Sequence, residues 1–175
     1  LGACAGQHGP IDSVGIDTWG VDFALLGRND TLLGNPRHYR DPHTEDIMEQ
    51  AFARVPKASI YRQTGLQFMR FNSLFQLLAL QRDRSPLLDV AEHLLLIPDL
   101  FHFFFTGVKA NEYTDASTSQ LIDATTRGWA KDLIQGFGLP ARTLGTIVTP
   151  ATDLGPLRPA IVADTSINAA PVIAP

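Results

Sequence analysis

Cysteine is nearly missing from this sequence, since Cys4 is the only one among 175 residues. A single cysteine cannot form an internal disulfide, which excludes the small disulfide-stapled domains and makes a reducing cytoplasm the expected compartment. Long apolar runs are missing as well, because the longest, Leu94–Phe105, is interrupted by Pro98-Asp99 and His102. That run is too short to span a bilayer, so the sequence predicts no membrane partner.

Positive charge is also scarce. The chain has 14 Lys and Arg residues against 18 Asp and Glu residues, a formal net charge of −4 at pH 7. No cluster of basic residues offsets this balance, so the sequence predicts no nucleic-acid partner. With 45% hydrophobic residues, the chain is long enough to form one domain with a substantial core.

The common catalytic and nucleotide-binding motifs are absent. The sequence contains no G-x-x-x-x-G-K-[ST] or G-x-G-x-x-G phosphate loop, no G-x-S-x-G and no H-E-x-x-H. The five histidines do not cluster in the sequence, and His102 lies in an apolar segment. We therefore expect His102 to be a hydrogen-bonded core residue rather than a metal ligand.

The most informative stretch of the chain is 13–26. Apolar residues alternate with small or polar ones on both sides of a break at Thr18-Trp19-Gly20. This pattern predicts two half-buried strands joined by a tight bend. Asp17, Asp22 and the indole of Trp19 are crowded around that bend. The alternative interpretation is an ordinary hairpin with solvated acids.

The rest of the chain alternates between helical and strand-like patterns. Residues 108–127 are polar and rich in turn formers, so we expect a loop there. The spacing of apolar residues predicts helices over 43–55, 58–64, 72–83, 86–92, 98–105 and 129–137, and strands over 31–34, 93–97 and 171–175.

Three polar segments could together bind a ligand with many hydroxyl groups. They are the bend at Asp17–Asp22, the Tyr39-Arg40-Asp41 step and the Tyr113–Ser119 segment. Hydroxyl groups need fixed hydrogen-bond partners, and sugar rings or chains pack on indole or phenol faces.

An ordered set of motifs gives a more specific interpretation. The chain closely resembles the FGGY carbohydrate kinases, and within that family the branch that acts on L-rhamnulose. The resemblance covers about residues 13–175, and its two most specific stretches are Gly-Ile-Asp-Thr-Trp-Gly-Val-Asp-Phe and Glu-Tyr-Thr-x-Ala-Ser-Thr. The motifs are Gly15–Phe23, Tyr39–Pro42, Thr64–Phe68, Asn72–Leu80, Ile97–Phe101 and Asn111–Leu121.

The resemblance implies both a fold and a reaction. The fold would be α/β: part of a ribonuclease-H-like domain of the actin/hexokinase type, with a helical insertion between sheet strands. The intact enzyme would transfer the γ-phosphoryl group of Mg-ATP to O1 of L-rhamnulose. Its cofactors would be ATP and Mg²⁺, neither of which we expect residues 1–175 to bind alone.

The resemblance also implies site residues. Gly20 would contact the sugar, and Asp17, Trp19, Asp41 and Tyr113 would belong to the other sugar-binding segments. The chain departs from the family pattern in one of these segments. Tyr39 stands where many relatives have Trp, and His43 where many have Arg.

Three parts of such an enzyme have no counterpart in residues 1–175. They are the first phosphate loop, an Asp-x-Gly-x-x-[ST] hairpin; the ATP-binding C-terminal domain; and the catalytic base, expected in a His-Asp-Thr step just beyond Pro175. We therefore expect an incomplete sugar-binding domain that is inactive alone and has the C-terminal domain as its partner in cis. The alternatives are another FGGY ketose or polyol kinase, or a non-catalytic sugar-binding module on the same fold.

Overall fold

The computed structural model describes all 175 residues and contains both helices and short strands. None of its helices is both long and apolar enough to cross a membrane. Tight 3-10 turns occupy Arg28–Asp30, Pro42–Thr44 and Ala141–Thr143. The longer elements are α1 (Gly2–His8), β1 (Phe23–Leu26), α2 (Ile47–Arg54), α3 (Lys57–Thr64), α4 (Ser73–Arg82), α5 (Leu87–Val90), β2 (His93–Leu96), α6 (Ile97–Thr106), β3 (Ala110–Glu112), α7 (Tyr113–Ser117), α8 (Lys131–Gly136), β4 (Thr146–Val148), β5 (Asp153–Pro156), α9 (Pro159–Thr165) and β6 (Pro171–Ile173).

Strand β1 lies at the centre of the molecule. It pairs antiparallel with β2, from Phe23 opposite Leu96 to Leu26 opposite His93. All four β1 residues are buried. Phe23 and Leu25 face the main core, whereas Ala24 and Leu26 face a smaller cluster with residues of β2 and α6. A strand covered on both faces needs apolar side chains in both directions, which the sequence Phe-Ala-Leu-Leu supplies.

The first of the two predicted strands, residues 13–18, is reduced to one bridge, and the alternative hairpin with residues 21–26 is not formed. Val14 instead forms a parallel bridge with Val172 of β6, and its N–H donates to the carbonyl oxygen of Pro171. The bend between the two segments exists, but it connects a segment beside β6 to a strand that pairs with β2. The predicted strand over 31–34 is reduced to one bridge between Leu26 and Leu32.

Two further strand pairs complete the sheet structure. Strand β3 pairs parallel with β4, beginning with Ala110 opposite Thr146. Strand β5 pairs antiparallel with β6, with a register shift between Asp153 and Pro156. The strand predicted near the end of the chain is thus confirmed as β6.

A large core contains residues of α2, α4 and α8 together with Phe23 and Leu25 of β1. It contains 23 buried residues, and Phe75 and Phe137 are fully enclosed in it. All residues of α4 from Ser73 to Leu80 are buried. A helix that is covered on all sides must find partners for its polar residues as well, and Ser73 and Gln76 find theirs in the site described below.

Most predicted helices are confirmed, with shifted boundaries. Glycines end α3 and α6: Gly65 and Gly107 have φ of 63° and 90°, a left-handed conformation that residues with a Cβ rarely adopt. The helix predicted over 86–92 is shorter (α5), as is the one predicted over 129–137 (α8).

Two expectations are corrected. The helix predicted from residue 43 begins only at Ile47, because Asp46 has a left-handed φ of 62° and interrupts the helical backbone. The loop predicted over 108–127 contains β3 and α7. The sequence there is polar, but Asn111 and Glu112 are fully buried, and Nδ2 of Asn111 and both carboxylate oxygens of Glu112 have hydrogen-bond partners inside the protein.

Candidate functional site

The bend predicted around Trp19 is a strained turn. The N–H of Asp22 donates to the carbonyl oxygen of Gly20 at 3.0 Å, which closes a three-residue turn around Val21. Val21 has φ of 71°. This conformation is unfavourable for a β-branched residue and costs on the order of 1–3 kcal/mol. Neighbouring groups must therefore hold the turn in place.

Two helices supply those groups. The N–H of Val21 donates to Oγ1 of Thr118, just after α7, at 3.0 Å. Its carbonyl oxygen accepts from Oγ of Ser73 at 2.6 Å and from Nε2 of Gln76 at 3.1 Å, both in α4. Ser73 and Gln76 are buried. Both backbone polar groups of the strained residue are thus fixed by side chains remote in sequence.

Trp19 projects from this turn with its indole held at one atom. Its Nε1 donates to Oδ2 of Asp22 at 2.7 Å, while 55% of the residue remains exposed. Trp19 begins a row of aromatic rings: its centroid lies 5.6 Å from that of His38, His38 lies 4.4 Å from Tyr39, and Tyr39 lies 5.4 Å from Phe71. We call these four residues the aromatic row. An exposed, oriented indole face suits contact with a sugar ring or chain.

Gly20 has a packing reason of its own. A Cβ at this position would lie 2.6 Å from Oγ1 and 2.8 Å from Cγ2 of Thr118. No side chain fits without moving the turn away from α7. The overlap with Thr118 is a sufficient structural reason for glycine at this position. The contact between Gly20 and a sugar stays a prediction.

Asp17 is exposed and adds negative charge near α7. Burial, and after it the negative charges of surrounding carboxylates, raise the pKa of Asp115 to about 7; these carboxylates are Asp99, Glu112, Asp17 and Asp22, in decreasing order of effect. Oδ2 of Asp115 has no hydrogen-bond partner. Near neutral pH, the carboxyl group of Asp115 is therefore protonated in a fraction of the protein molecules. The protonated form can donate a hydrogen bond.

A buried polar network lies behind Asp115. Asp99 accepts from Nδ2 of Asn111 at 3.3 Å and from the N–H of Glu112 at 3.1 Å. Burial raises the pKa of Asp99, although these hydrogen bonds and His102 oppose the effect. His102 is buried as expected, but the expectation that it is hydrogen-bonded is wrong, since neither ring nitrogen has a partner. Its Nδ1 lies 3.8 Å from Oδ1 of Asp99.

The other two predicted site residues are engaged elsewhere. Asp41 is exposed and accepts from the N–H of His43 at 3.0 Å, a bond that lowers the pKa of Asp41. Tyr113 begins α7, packs against the main core and has the guanidinium carbon of Arg127 5.5 Å from its ring centroid. The structure thus joins Trp19 and Gly20 in one turn near Asp17, whereas neither Asp41 nor Tyr113 hydrogen-bonds to that turn.

Sequence reasoning missed the residues that hold the turn. The sequence placed Ser73 and Gln76 in a predicted helix and Thr118 in a candidate ligand-binding segment, without indicating that they hold the turn. A signal was present: two polar residues three positions apart, on one face of a helix that is otherwise apolar, predict a buried hydrogen-bonding role.

No metal site can be assigned near the bend. No group of three or more His, Cys, Asp or Glu side chains is placed to hold a metal ion, so we assign no residue of this chain to Mg²⁺. The largest cleft, about 1040 Å³, is lined by residues from the end of α4, α5, α8 and the segment that follows, among them Trp129 and Arg142. It includes none of the predicted site residues.

Comparison with curated proteins identifies close relatives of the chain. It is 43% identical to the rhamnulokinase of Bacteroides thetaiotaomicron over 164 residues, which are 94% of this chain and 34% of that protein. It is 42% identical to the rhamnulokinase of Oceanobacillus iheyensis over 89% of this chain and 33% of that protein. The chain spans about a third of the length of these relatives.

Solved structures share the fold. The gluconate kinase of Lactobacillus acidophilus superposes with a TM-score of 0.87 at 22% identity, over 94% of this chain and 34% of that one. The glycerol kinase of Plasmodium falciparum superposes with a TM-score of 0.80 at 21% identity, over 94% of this chain and 34% of that one. These similarities confirm the predicted α/β fold of the sugar kinases.

A family description matches almost the whole chain. Residues 7–174 match the FGGY family of carbohydrate kinases, N-terminal domain. This match covers every segment of the turn, the aromatic row and the acidic network described above. The chain therefore belongs to the FGGY family of carbohydrate kinases.

Proposed function

We propose that this chain provides the sugar-binding side of an ATP-dependent kinase that phosphorylates L-rhamnulose at O1. The observation that supports this substrate most strongly is the identity of 42–43% with rhamnulokinases over at least 89% of the chain. The geometry supports a polyhydroxylated ligand in general. An exposed indole beside a fixed backbone turn and free carboxylates can pack on a ketose and accept its hydroxyl hydrogens.

The proposal assigns each site residue a role in binding. Trp19 packs against the carbon chain of the sugar, Gly20 lets the sugar approach the backbone, and Asp17 accepts from a hydroxyl group. Asp41 and Tyr113 add contacts at the margin of the site. These groups orient the attacking hydroxyl, because positioning and electrostatic stabilisation account for most of the catalysis in phosphoryl transfer.

The remaining parts of the reaction are assigned to no residue of this chain. ATP, brought as its Mg²⁺ complex, would supply the phosphoryl group, and neither the catalytic base nor an ATP contact is placed within residues 1–175. We propose the cytoplasm as the compartment, consistent with the exposed free thiol of Cys4.

The direct test is phosphorylation by the full-length gene product. ADP release is measured with ATP and, in turn, L-rhamnulose, L-fuculose, D-xylulose and glycerol, and the position of the new phosphate is read by ³¹P–¹H NMR. We expect the highest kcat/KM for L-rhamnulose and a phosphate on O1. A higher kcat/KM for another ketose or for glycerol would assign the protein to a different FGGY activity.

A binding measurement separates the non-catalytic alternative from the kinase. Isothermal titration of the same protein with L-rhamnulose, in the absence of ATP, reports sugar binding alone. Sugar binding without ADP release at any substrate would identify a sugar-binding module on the kinase fold. The proposal is refuted if the protein neither binds L-rhamnulose nor phosphorylates any of the four compounds.

A further inference from the structure

Gln76 makes contacts that reach both ends of the aromatic row. Its Nε2 lies 3.1 Å from the carbonyl oxygen of Val21, 2.9 Å from that of Phe71 and 3.4 Å from Oδ1 of Asp22. Only two N–H bonds serve these three acceptors, so one of them is shared. Asp22 in turn accepts from the indole of Trp19 through its other oxygen.

Burying the side-chain amide of Gln76 is energetically unfavourable unless it is hydrogen-bonded. The residue is 2% exposed in the middle of a helix whose neighbours are apolar. A buried amide without partners is strongly unfavourable, and a buried leucine or methionine would fill the same space without that requirement. The partners that compensate this amide all lie at the strained turn or at Phe71.

We propose that Gln76 is a positioning residue that sets the orientation of Trp19 through Asp22 and, with its bond to Phe71, fixes the geometry of the aromatic row for the sugar. This inference rests on the proposed function for its second part, the effect on sugar affinity. Its first part, the orientation of Trp19, is independent of any activity. Ser73 and Thr118 hold the backbone of Val21, whereas Gln76 alone also reaches the Asp22 carboxylate.

The test uses Gln76→Met, which keeps the length of the side chain and removes its donors. A matched control is Gln81→Met: Gln81 lies in the same helix and also donates through Nε2 to two backbone carbonyls, those of Phe137 and Gly138. Because Gln81 contacts neither Asp22 nor Phe71, the control loses comparable hydrogen bonds without affecting the turn.

The orientation of Trp19 is read by ¹⁹F NMR of the full-length gene product labelled with 5-fluorotryptophan. The Trp19 resonance is assigned from its disappearance in Trp19→Phe. We expect Gln76→Met to shift or broaden this resonance and Gln81→Met to leave it in place. An unshifted Trp19 resonance in folded Gln76→Met would overturn the proposal.

A second variant covers the case in which Gln76→Met fails to fold. Asp22→Asn keeps the shape of the side chain but replaces one carboxylate oxygen by an NH₂ group, so one of the two oxygens that accept from Trp19 and Gln76 is lost. We expect the same displacement of the Trp19 resonance. Its absence in a folded Asp22→Asn protein contradicts the proposed path from Gln76 to Trp19.

Kinetics then test the link to the sugar. In Gln76→Met we expect KM for the ketose to rise by about tenfold while KM for ATP changes by less than about twofold, because only the sugar side is displaced. A shifted resonance with an unchanged ketose KM overturns the link to sugar binding and leaves the kinase assignment intact. If the wild type phosphorylates no sugar, the proposed function fails, and the Trp19 resonance alone decides the role of Gln76.

Discussion

Replacing Asp115 by Asn is expected to stabilise the protein at neutral and alkaline pH. In the folded chain the pKa of Asp115 is raised from 3.8 to about 7, first by burial and then by the neighbouring carboxylates. Its side chain makes no hydrogen bond that Asn would lose, since Oδ2 has no partner and no bond involves Oδ1. Asn has the same shape and does not titrate.

The sign of the effect follows from proton binding. Between pH 3.8 and about 7 the folded state retains a proton on Asp115 that the unfolded state has released. The free energy of unfolding of the wild type therefore falls as the pH rises through this window. The full shift corresponds to about 4 kcal/mol at about 1.36 kcal/mol per pKa unit. Since the side chain is only partly buried, solvent screening reduces this value, and we expect about 2 kcal/mol at pH 8.

The assay is urea unfolding of both proteins, followed by circular dichroism at pH 4, 5, 6, 7 and 8. The free energies of unfolding should differ little at pH 4, and the advantage of Asp115→Asn should grow up to about pH 8. Asp123→Asn is the control of opposite sign. The exposed Asp123 accepts from the amides of Thr125 and Thr126 at 2.9 Å each, and these bonds lower its pKa.

The control should be less stable than the wild type by about the same amount at every pH from 5 to 8, because the pKa of Asp123 is lowered from 3.8 and the group stays ionised across this range. The reasoning on Asp115 is refuted if Asp115→Asn differs from the wild type by the same amount at every pH. It is equally refuted if the free energy of unfolding of the wild type increases relative to that of Asp115→Asn as the pH rises.

Three further predictions concern stability and are read from urea unfolding at pH 7. Gly20→Ala should cost about 1–3 kcal/mol, because the new methyl group would overlap Thr118; an unchanged midpoint would contradict the tight contact. Glu112→Ala should cost about 1–2 kcal/mol, because Glu112 caps α7 by accepting from two backbone N–H groups, and Glu112→Gln should cost less. Phe75→Ala should cost about 3–5 kcal/mol, since Phe75 is fully enclosed, whereas Phe101→Ala at a 43% exposed position should change stability by less than about 0.5 kcal/mol; equal effects would be inconsistent with the burial described.

Much of the local structure could be predicted from the sequence because its causes are local. The apolar spacing over 72–83 gave α4, and Gly65 and Gly107 gave the ends of α3 and α6. A glycine is favoured at a helix end by the conformation of that one residue, whatever surrounds it. The bend near Trp19 could be predicted for the same reason, from the break in alternation.

The pairing of strands could not be predicted from the same information. Residues 13–18 and 21–26 look like the two arms of a hairpin, but β1 pairs with β2, about 70 residues further along the chain. Alternation reports which face of a strand is buried and carries no information on its neighbour. The choice depends on the helices that cover both faces of β1, which is a property of the assembled fold.

The candidate site divides in the same way. The motif containing Trp19 and Gly20, and with it the kinase family, could be identified from the residue types alone. That Val21 is strained, that Gln76, Ser73 and Thr118 hold it, and that Asp115 retains a proton were decided by tertiary structure. The groups that hold Val21 are about 50 to 100 positions away in the chain, and the proton on Asp115 depends first on its burial in the folded protein. Hydrogen-bond partners are set only when the helices pack, so the local pattern of Ser73 and Gln76 could indicate that they need buried partners but not which groups these are.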